Sequence, residues 1–305
     1  MTDGLRLPPI DAIVAAALAE DFGVEPEAVL AGARGLLDRD VTGSLLPPDA
    51  RFAGAVRARA GGVVCGLLVV ARVFAMLAEA AGVATPDCFP LVPEGARVRA
   101  GDAVIEIEGD ARVVLAGERT ALDFLMVLSG IATRAAAWQA AAGTTLRVLD
   151  TRKTLPGLRA LSKYAVRAGG ASNHRAGLWD MVLVKDNHVR AAGGIAAAVA
   201  AARAAHPGIR VEVEADTVPQ AAEAAAAGAD FVLLDNMDDA TLAEAVVAVR
   251  AATPVDRRCE TEASGRITIE RLPVLASLGV DRASASALTL APPLDFGLDL
   301  EENCS

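Results

Sequence analysis

Aromatic side chains make up only 3% of this 305-residue sequence. The core must therefore be filled by aliphatic residues and by the abundant alanine, whose small side chain lets helices pack closely. Cysteine is scarce too: Cys65, Cys88, Cys259 and Cys304 form no C-x-x-C pair and no metal-type spacing, so they read as reduced thiols of a cytosolic protein. No apolar core of a signal peptide stands in the opening MTDGLRLPPIDA. The most apolar stretch, Val63 to Val70, is too short to cross a membrane and is soon followed by Arg72. A soluble, cytoplasmic protein with no membrane partner is expected. Excess positive charge is also missing: the formal net charge is −10, which argues against nucleic acid as the main partner, since phosphate backbones attract basic proteins. A small anion in a locally basic pocket remains compatible with that balance.

What is present is a chain with 53% hydrophobic and 22% charged residues, enough for one large α/β domain or two modest ones. Ile10 to Asp21 reads as an amphipathic helix that Asp11 can cap. Ala53 to Ala60 alternates weakly, Val63 to Leu67 is an apolar run, and Ala71 to Ala81 returns to helical spacing. Val98 to Gly109 reads as two short strands around the Gly101-Asp102 turn. This third of the chain predicts an α+β unit with a small antiparallel sheet. A long helix is expected from Gly117 to about Ala141, with Ser129-Gly130 marking a break or a close helix contact.

From Leu146 the pattern becomes strand, loop, helix, repeated. The strand candidates are Leu146–Asp150, Met181–Lys185, Ile209–Glu214, Asp230–Asp235, Arg257–Glu262 and Val280–Ala285. Helical segments such as Ile195 to Ala205, Val218 to Ala227 and Leu242 to Ala251 separate them. Strand starts recur roughly every 20–35 residues, the size of a β-plus-α unit. Six such units suggest a closed parallel sheet, a smaller relative of the eight-fold barrel. The alternative is an open doubly wound sheet, although no G-x-G-x-x-G follows any of these strands.

Ligands of parallel α/β folds bind at the carboxyl ends of the strands, where the loops converge. Those ends carry Thr151, Arg152 and Lys153, then Lys185, Glu214, Asp235, Ser264-Gly265 and Ser286. Asn173-His174-Arg175 adds further positive charge just before the second strand. The order runs from cationic through acidic to small and hydroxylated. It suggests an anionic substrate, a sugar or metal, and a phosphate held by backbone N–H groups. Each residue also has a plainer reading. Arg152 and Lys153 could pair with surface carboxylates, His174 could be a core histidine, and Ser264 could be a helix cap. Glu214 and Asp235 each follow an apolar strand, where a carboxylate needs a reason.

Asp150-Thr151-Arg152-Lys153-Thr154-Leu155-Pro156-Gly157, Asn173-His174-Arg175 and Lys185-Asp186-Asn187-His188 together resemble the quinolinate phosphoribosyltransferase family. The resemblance extends back to Gly117-Glu118-Arg119-Thr120 and Leu128-Ser129-Gly130, and forward to Val213-Glu214, Leu234-Asp235-Asn236 and Glu262-Ala263-Ser264-Gly265. It implies an α/β protein with an N-terminal α/β sandwich domain and a C-terminal open, irregular, six-stranded α/β barrel. Residues 1–116, joined by the tail 288–305, would form the sandwich, and 117–287 the barrel. The implied reaction joins quinolinate to phosphoribosyl pyrophosphate with Mg2+, giving nicotinate mononucleotide, pyrophosphate and carbon dioxide on the route to NAD. The resemblance also implies a homodimer in which Arg119 enters the neighbouring subunit's site.

On that reading Arg119, Arg152, His174, Arg175 and Lys185 face the two carboxylates of quinolinate, and Thr151 is a further substrate-binding residue. Lys153 faces the phosphoribosyl donor. Glu214 and Asp235 suit the ribose hydroxyls and a hydrated Mg2+, with no direct protein ligand assigned. Lys153, Lys185, Glu214 and Asp235 are the expected catalytic residues. Ser264, Gly265 and Arg266, with Ala285, Ser286 and Ala287, are expected around the 5′-phosphate. Arg266 and Ser286 stand where the family usually has glycine, so their side chains would either crowd the phosphate or, for Arg266, add charge to it. Three alternatives stay open: a related phosphoribosyltransferase acting on another pyridine or aromatic carboxylate, a non-catalytic binding homologue, and a Schiff-base lyase using Lys153 or Lys185.

Overall fold

The computed structural model describes residues 5–32 and 35–300, so Cys304 and part of the Gly23–Leu37 stretch lie outside the described residues. The chain divides into two compact units. One takes 1–134, 155–170 and 291–305, the other 135–154 and 171–290.

The first unit opens with helices α1 (Asp11–Phe22) and α2 (Pro26–Leu30), followed by strands β1 (Arg51–Ala58) and β2 (Gly62–Val63) and helix α3 (Leu67–Ala81). Strands β3 (Asp87–Pro90), β4 (Arg97–Val98) and β5 (Ala103–Asp110) come next, and β12 (Phe296–Leu300) returns from the far end of the chain. An antiparallel sheet runs in the order β12-β1-β5-β3. The two strands expected around the Gly101-Asp102 turn form, with β4 pairing to β2 and β5 to β1 and β3. Asp11 does not cap α1; it is the first helical residue, and its carboxylate takes the Arg72 guanidinium of α3 at 2.8 Å.

Helix α4 (Ala111–Ala142) starts earlier than the sequence pattern predicts. The cause is Asp110, whose Oδ1 accepts the N–H groups of Arg112 at 2.9 Å and Val113 at 3.2 Å, closing off two of the donors left free at a helix start. Gly117, read as the helix start, is interior, and a Cβ there would press on Phe74 and Leu77 of α3. No break occurs at Ser129-Gly130. The buried Ser129 hydroxyl accepts the Cys65 N–H at 2.9 Å, and Gly130 leaves room for the carbonyl oxygen of Pro292. By length and composition α4 could cross a membrane, yet 56% of its most apolar window is buried, as in the core helix of a folded domain.

The second unit holds parallel strands β6 (Arg147–Leu149), β7 (Val182–Val184), β8 (Val211–Ala215), β9 (Phe231–Asp235), β10 (Glu260–Ser264) and β11 (Arg282–Ser284). Their order is β6-β11-β10-β9-β8-β7, all in parallel register. Helices α6 (Asp186–Ala192), α7 (Ile195–Ala205), α8 (Val218–Ala226), α9 (Asp239–Ala252) and α10 (Leu272–Ser277) connect them. Between β6 and β7 the chain leaves this unit to add helix α5 (Arg159–Ala168) to the first.

The barrel is open, which corrects the closed sheet suggested by the six-fold repeat. Strands β6 and β7 are the two ends of the order and do not pair. The free edge of β6 is taken instead by one residue, Ser172, which bridges Leu149 in parallel sense, donates its N–H to Val148 O at 2.8 Å and accepts the Asp150 N–H at 3.2 Å. A strand edge already hydrogen-bonded has nothing left to offer β7. The same bridge carries Asn173-His174-Arg175 alongside Arg152-Lys153, although α5 separates them in the chain. Strand β10 also starts later than predicted, at Glu260, leaving Arg257 and Arg258 in the preceding loop.

Candidate active site

A cavity of about 690 Å3 lies at the carboxyl ends of the second unit's strands. Of the residues singled out from the sequence, Thr151, Arg152, Lys153, His174, Arg175, Lys185, Glu214, Asp235, Ser264 and Gly265 line it. Two cationic stretches therefore meet there, one after β6 and one held beside it by Ser172, with Lys185 arriving from the end of β7.

Within this cationic wall, the Arg152 guanidinium and the Lys153 ammonium have no carboxylate partner among the described residues, and the buried Arg152 Nε has no hydrogen-bond acceptor. Burial, and then the charge of Arg152, hold the Arg175 side chain below the ordinary arginine range, so the two guanidiniums repel one another. Glu212 and Asp180 offset that repulsion only in part, so two guanidiniums kept together inside an acidic protein form a site suited to an anion. The segment carrying Arg175 is well anchored: His174 N–H donates to the buried Asp150 Oδ1 at 2.9 Å, and Arg175 Nη1 reaches Met181 O at 3.5 Å.

On the opposite wall Glu214 and Asp235 stand at the ends of β8 and β9 with part of each side chain open to water. Lys185 Nζ contacts Glu214 Oε2 directly, and Asn236 Nδ2 donates to Asp235 Oδ2 at 2.6 Å. The Lys185 backbone N–H is received by His188 Nδ1 at 3.0 Å, which fixes the turn into α6. Leu183, Leu233, Asn236 and Ser284 also line the cavity and were not singled out from the sequence. Strand alternation could have found the leucines, since Leu183 and Leu233 each stand two residues before a predicted site residue and so face the same way.

Other predicted residues lie elsewhere. Arg119 is exposed on α4 in the first unit, 3.5 Å from Asp123. Arg266 lines an adjoining cavity of about 310 Å3 that shares Asn236 and Gly265 with the first. Ser264 caps no helix: Gly265 at φ +85° and Arg266 at φ +49° form a left-handed turn instead. A Cβ on Gly265 would collide with Asn236, itself at φ +54°. Left-handed geometry explains why glycine suits position 266; the arginine there has no hydrogen bond or ion pair among the described residues. Ala285 N–H donates to Leu149 O at 3.0 Å, and Ser286 and Ala287 sit in a short 3-10 turn. From this turn the Thr289 hydroxyl donates to Lys153 O at 2.6 Å.

Two sets of donors could hold a metal. His174, Glu212 and Glu262 are buried, with ligand atoms within 4.8 Å of one another, a set that could chelate a divalent ion. In this geometry, however, His174 Nδ1 accepts the Arg175 N–H at 2.8 Å, so the ring proton sits on Nε2, the atom a metal would need. Glu214 and Asp235 are the other set. Partly hydrated carboxylate oxygens facing a roomy cavity suit Mg2+, which keeps several of its waters.

An α/β barrel whose strand ends set clustered cations beside partly exposed carboxylates defines an enzyme fold suited to hold a small polyanion beside a polar co-substrate. Family comparisons make this specific. A profile described as "Quinolinate phosphoribosyl transferase, C-terminal domain" matches residues 131–299, and one described as "Quinolinate phosphoribosyl transferase, N-terminal domain" matches 40–129. The chain belongs to the quinolinate phosphoribosyltransferase family. It is 43% identical over 249 residues to a probable nicotinate-nucleotide pyrophosphorylase [carboxylating] of Synechocystis, covering 81% of this chain and 82% of that protein. It is 42% identical over 265 residues to the Mycobacterium leprae nicotinate-nucleotide pyrophosphorylase [carboxylating], with 85% and 86% covered. The nicotinate-nucleotide pyrophosphorylase structure from Francisella tularensis superposes with a TM-score of 0.85 at 32% identity, covering 97% of this chain and 99% of that one.

Proposed function

We propose that this protein transfers the phosphoribosyl group of phosphoribosyl pyrophosphate to quinolinate and decarboxylates the product, giving nicotinate mononucleotide, pyrophosphate and carbon dioxide. The observation that carries the reading is the mutually repelling guanidiniums of Arg152, which has no carboxylate partner among the described residues, and Arg175, beside Lys185. A vicinal dicarboxylate would neutralise that pair, and the planar guanidiniums can each bind a carboxylate through two N–H donors.

Lys153, exposed and unpaired, is assigned to the donor's phosphates. The ring nitrogen of quinolinate then attacks the anomeric carbon as pyrophosphate departs. Glu214 and Asp235 sit where they stabilise positive charge developing on the sugar. Their oxygens, together with the donor's phosphates, would hold Mg2+, which neutralises the leaving pyrophosphate. Once the ring nitrogen is ribosylated, its positive charge stabilises the carbanion left at C2 when that carboxylate leaves as carbon dioxide, and a proton taken up from water at C2 completes nicotinate mononucleotide. No nucleophilic side chain is required, so the chain's own contribution is charge placement and orientation. Gly265, Ser264 and Ser284 offer small side chains against the 5′-phosphate, and Ala285 to Ala287 flank them.

In this reading the enzyme is a cytoplasmic homodimer, with Arg119 of each subunit completing its partner's site. Mixing Arg119→Ala subunits with Lys185→Ala subunits restores activity in the mixed dimers; no recovery in mixed dimers shown to form overturns the shared site. The reaction itself is tested by incubating purified protein with quinolinate, phosphoribosyl pyrophosphate and Mg2+ and measuring carbon dioxide and nicotinate mononucleotide. Absence of turnover overturns the reading. A second reading, transfer to a different pyridine carboxylate, is favoured only by the arginine at position 266, and the same assay run with a panel of pyridine carboxylates decides between them.

A further inference from the structure

Barrel interiors are ordinarily packed with branched aliphatic side chains. In this barrel Glu212 of β8, Glu262 of β10 and Arg282 of β11 are buried instead, the two carboxylates fully. They converge on the His174 ring. Its Nε2 lies 2.8 Å from Glu212 Oε2 and 3.4 Å from Glu262 Oε1, while Arg282 Nη2 is 2.7 Å from Glu262 Oε2. The Arg282 guanidinium stacks 3.9 Å above the Phe231 ring, which holds it in place.

Taking such charges out of water costs several kcal/mol per ion, and well-packed apolar residues would stabilise the fold at least as well. The cluster therefore needs a reason beyond stability, and the second ring nitrogen supplies one. His174 Nδ1 accepts the backbone N–H of Arg175 at 2.8 Å, so the ring faces the buried carboxylates at ion-pair distance with one nitrogen and is hydrogen-bonded to the cavity wall by the other. A ring free to rotate would release that N–H and with it the placement of Arg175.

We infer that Glu212, Glu262 and Arg282 are positioning residues for the dicarboxylate half of the site: they clamp the His174 ring, and through Nδ1 they fix the main chain of Arg175 without touching substrate. The inference rests on the proposed reaction and deepens it. It assigns a function to side chains that line no part of the main cavity, and it makes His174 the hinge of the clamp, since one ring nitrogen faces the buried carboxylates and the other accepts the Arg175 N–H.

Glu212→Gln and a Glu262→Leu/Arg282→Met double variant test it by steady-state kinetics. The double variant removes the Glu262–Arg282 ion pair as a unit, and the melting temperature of each variant shows that the protein assayed is folded. The expected result in both is a rise of about tenfold or more in the KM for quinolinate, with the KM for phosphoribosyl pyrophosphate within about twofold of wild type. A role in stability alone predicts equal rises for both substrates, or a normal quinolinate KM in the double variant, and either result overturns the inference. Wild-type turnover is measured alongside. Its absence overturns the proposed reaction, whereas intact wild-type turnover with an unmoved quinolinate KM in both variants overturns only the clamp.

Discussion

Lys185, at the end of β7, touches the carboxylate of Glu214, at the end of β8, so the cationic and acidic walls of the cavity are joined by one ion pair. In the proposed reaction Lys185 is shared between Glu214 and a quinolinate carboxylate. Removing it by Lys185→Ala deletes a charge-assisted contact worth about 1.5–3 kcal/mol, which raises the quinolinate KM by about ten- to a hundredfold. Glu214→Gln acts mainly on kcat, because its charge matters most as pyrophosphate departs. Since the two residues are in contact, the double variant loses less than the sum of the two. Strict additivity in kcat/KM would show that the pair does not act as a unit.

Arg152 makes a different expectation, because its charge is a liability in the empty site. Its Nε is buried without an acceptor, and its neighbour is the likewise cationic Arg175. Arg152→Ala relieves that repulsion and raises the melting temperature of the ligand-free protein by about 2–4 °C, while abolishing measurable quinolinate binding. Thermal unfolding with and without quinolinate checks both halves. A variant destabilised in the absence of ligand would mean that Arg152 holds the fold together instead of storing strain for the ligand.

The catalytic face was legible in the sequence because strand ends can be read from patterning, and charge following an apolar run stands out there. Thr151 to Lys153, Lys185, Glu214 and Asp235 all come together as that logic requires. The clamp was not legible. In Val211-Glu212-Val213-Glu214 alternation puts both glutamates on one face, but only the barrel's cross-section shows that Glu212 meets Glu262 of β10 and His174 of the loop before β7. Barrel closure was misjudged for a related reason. Nothing in the spacing of six β-plus-α units shows that Ser172 takes the edge of β6. The start of α4 is not visible in the pattern because Asp110, the last residue of β5, also caps the helix that follows.

Arg266 is held at φ +49°, a left-handed conformation that costs a non-glycine residue of the order of 1 kcal/mol. Arg266→Gly removes that strain and stabilises the protein. If the guanidinium serves the donor's 5′-phosphate, the same change raises the KM for phosphoribosyl pyrophosphate several-fold, and the rise grows smaller at high salt, where exposed charges are screened. Melting temperature and donor KM, measured at two ionic strengths, separate the two effects. A more stable variant with an unchanged donor KM would show that Arg266 carries strain without contributing to binding.

The two buried glutamates also set how stability depends on pH. Burial pushes the Glu262 carboxyl up to about 7, helped by the negative charge of Glu212, and burial pushes Glu212 up to about 7 against the pull of Arg282. In the unfolded chain each ionises near the ordinary glutamate value of about 4.3. The folded state thus binds protons more tightly than the unfolded state. This contribution to stability is fully present below about pH 4.3 and is lost as pH rises through about 7. The melting temperature should therefore fall between pH 5 and pH 8 through this pair. Glu262→Gln removes one of the two titrations and leaves its neighbour without a buried like charge, so its slope over the same window is shallower. Parallel slopes for wild type and Glu262→Gln would mean that the carboxyl is already ionised at pH 5, with Arg282 and His174 fully compensating its burial.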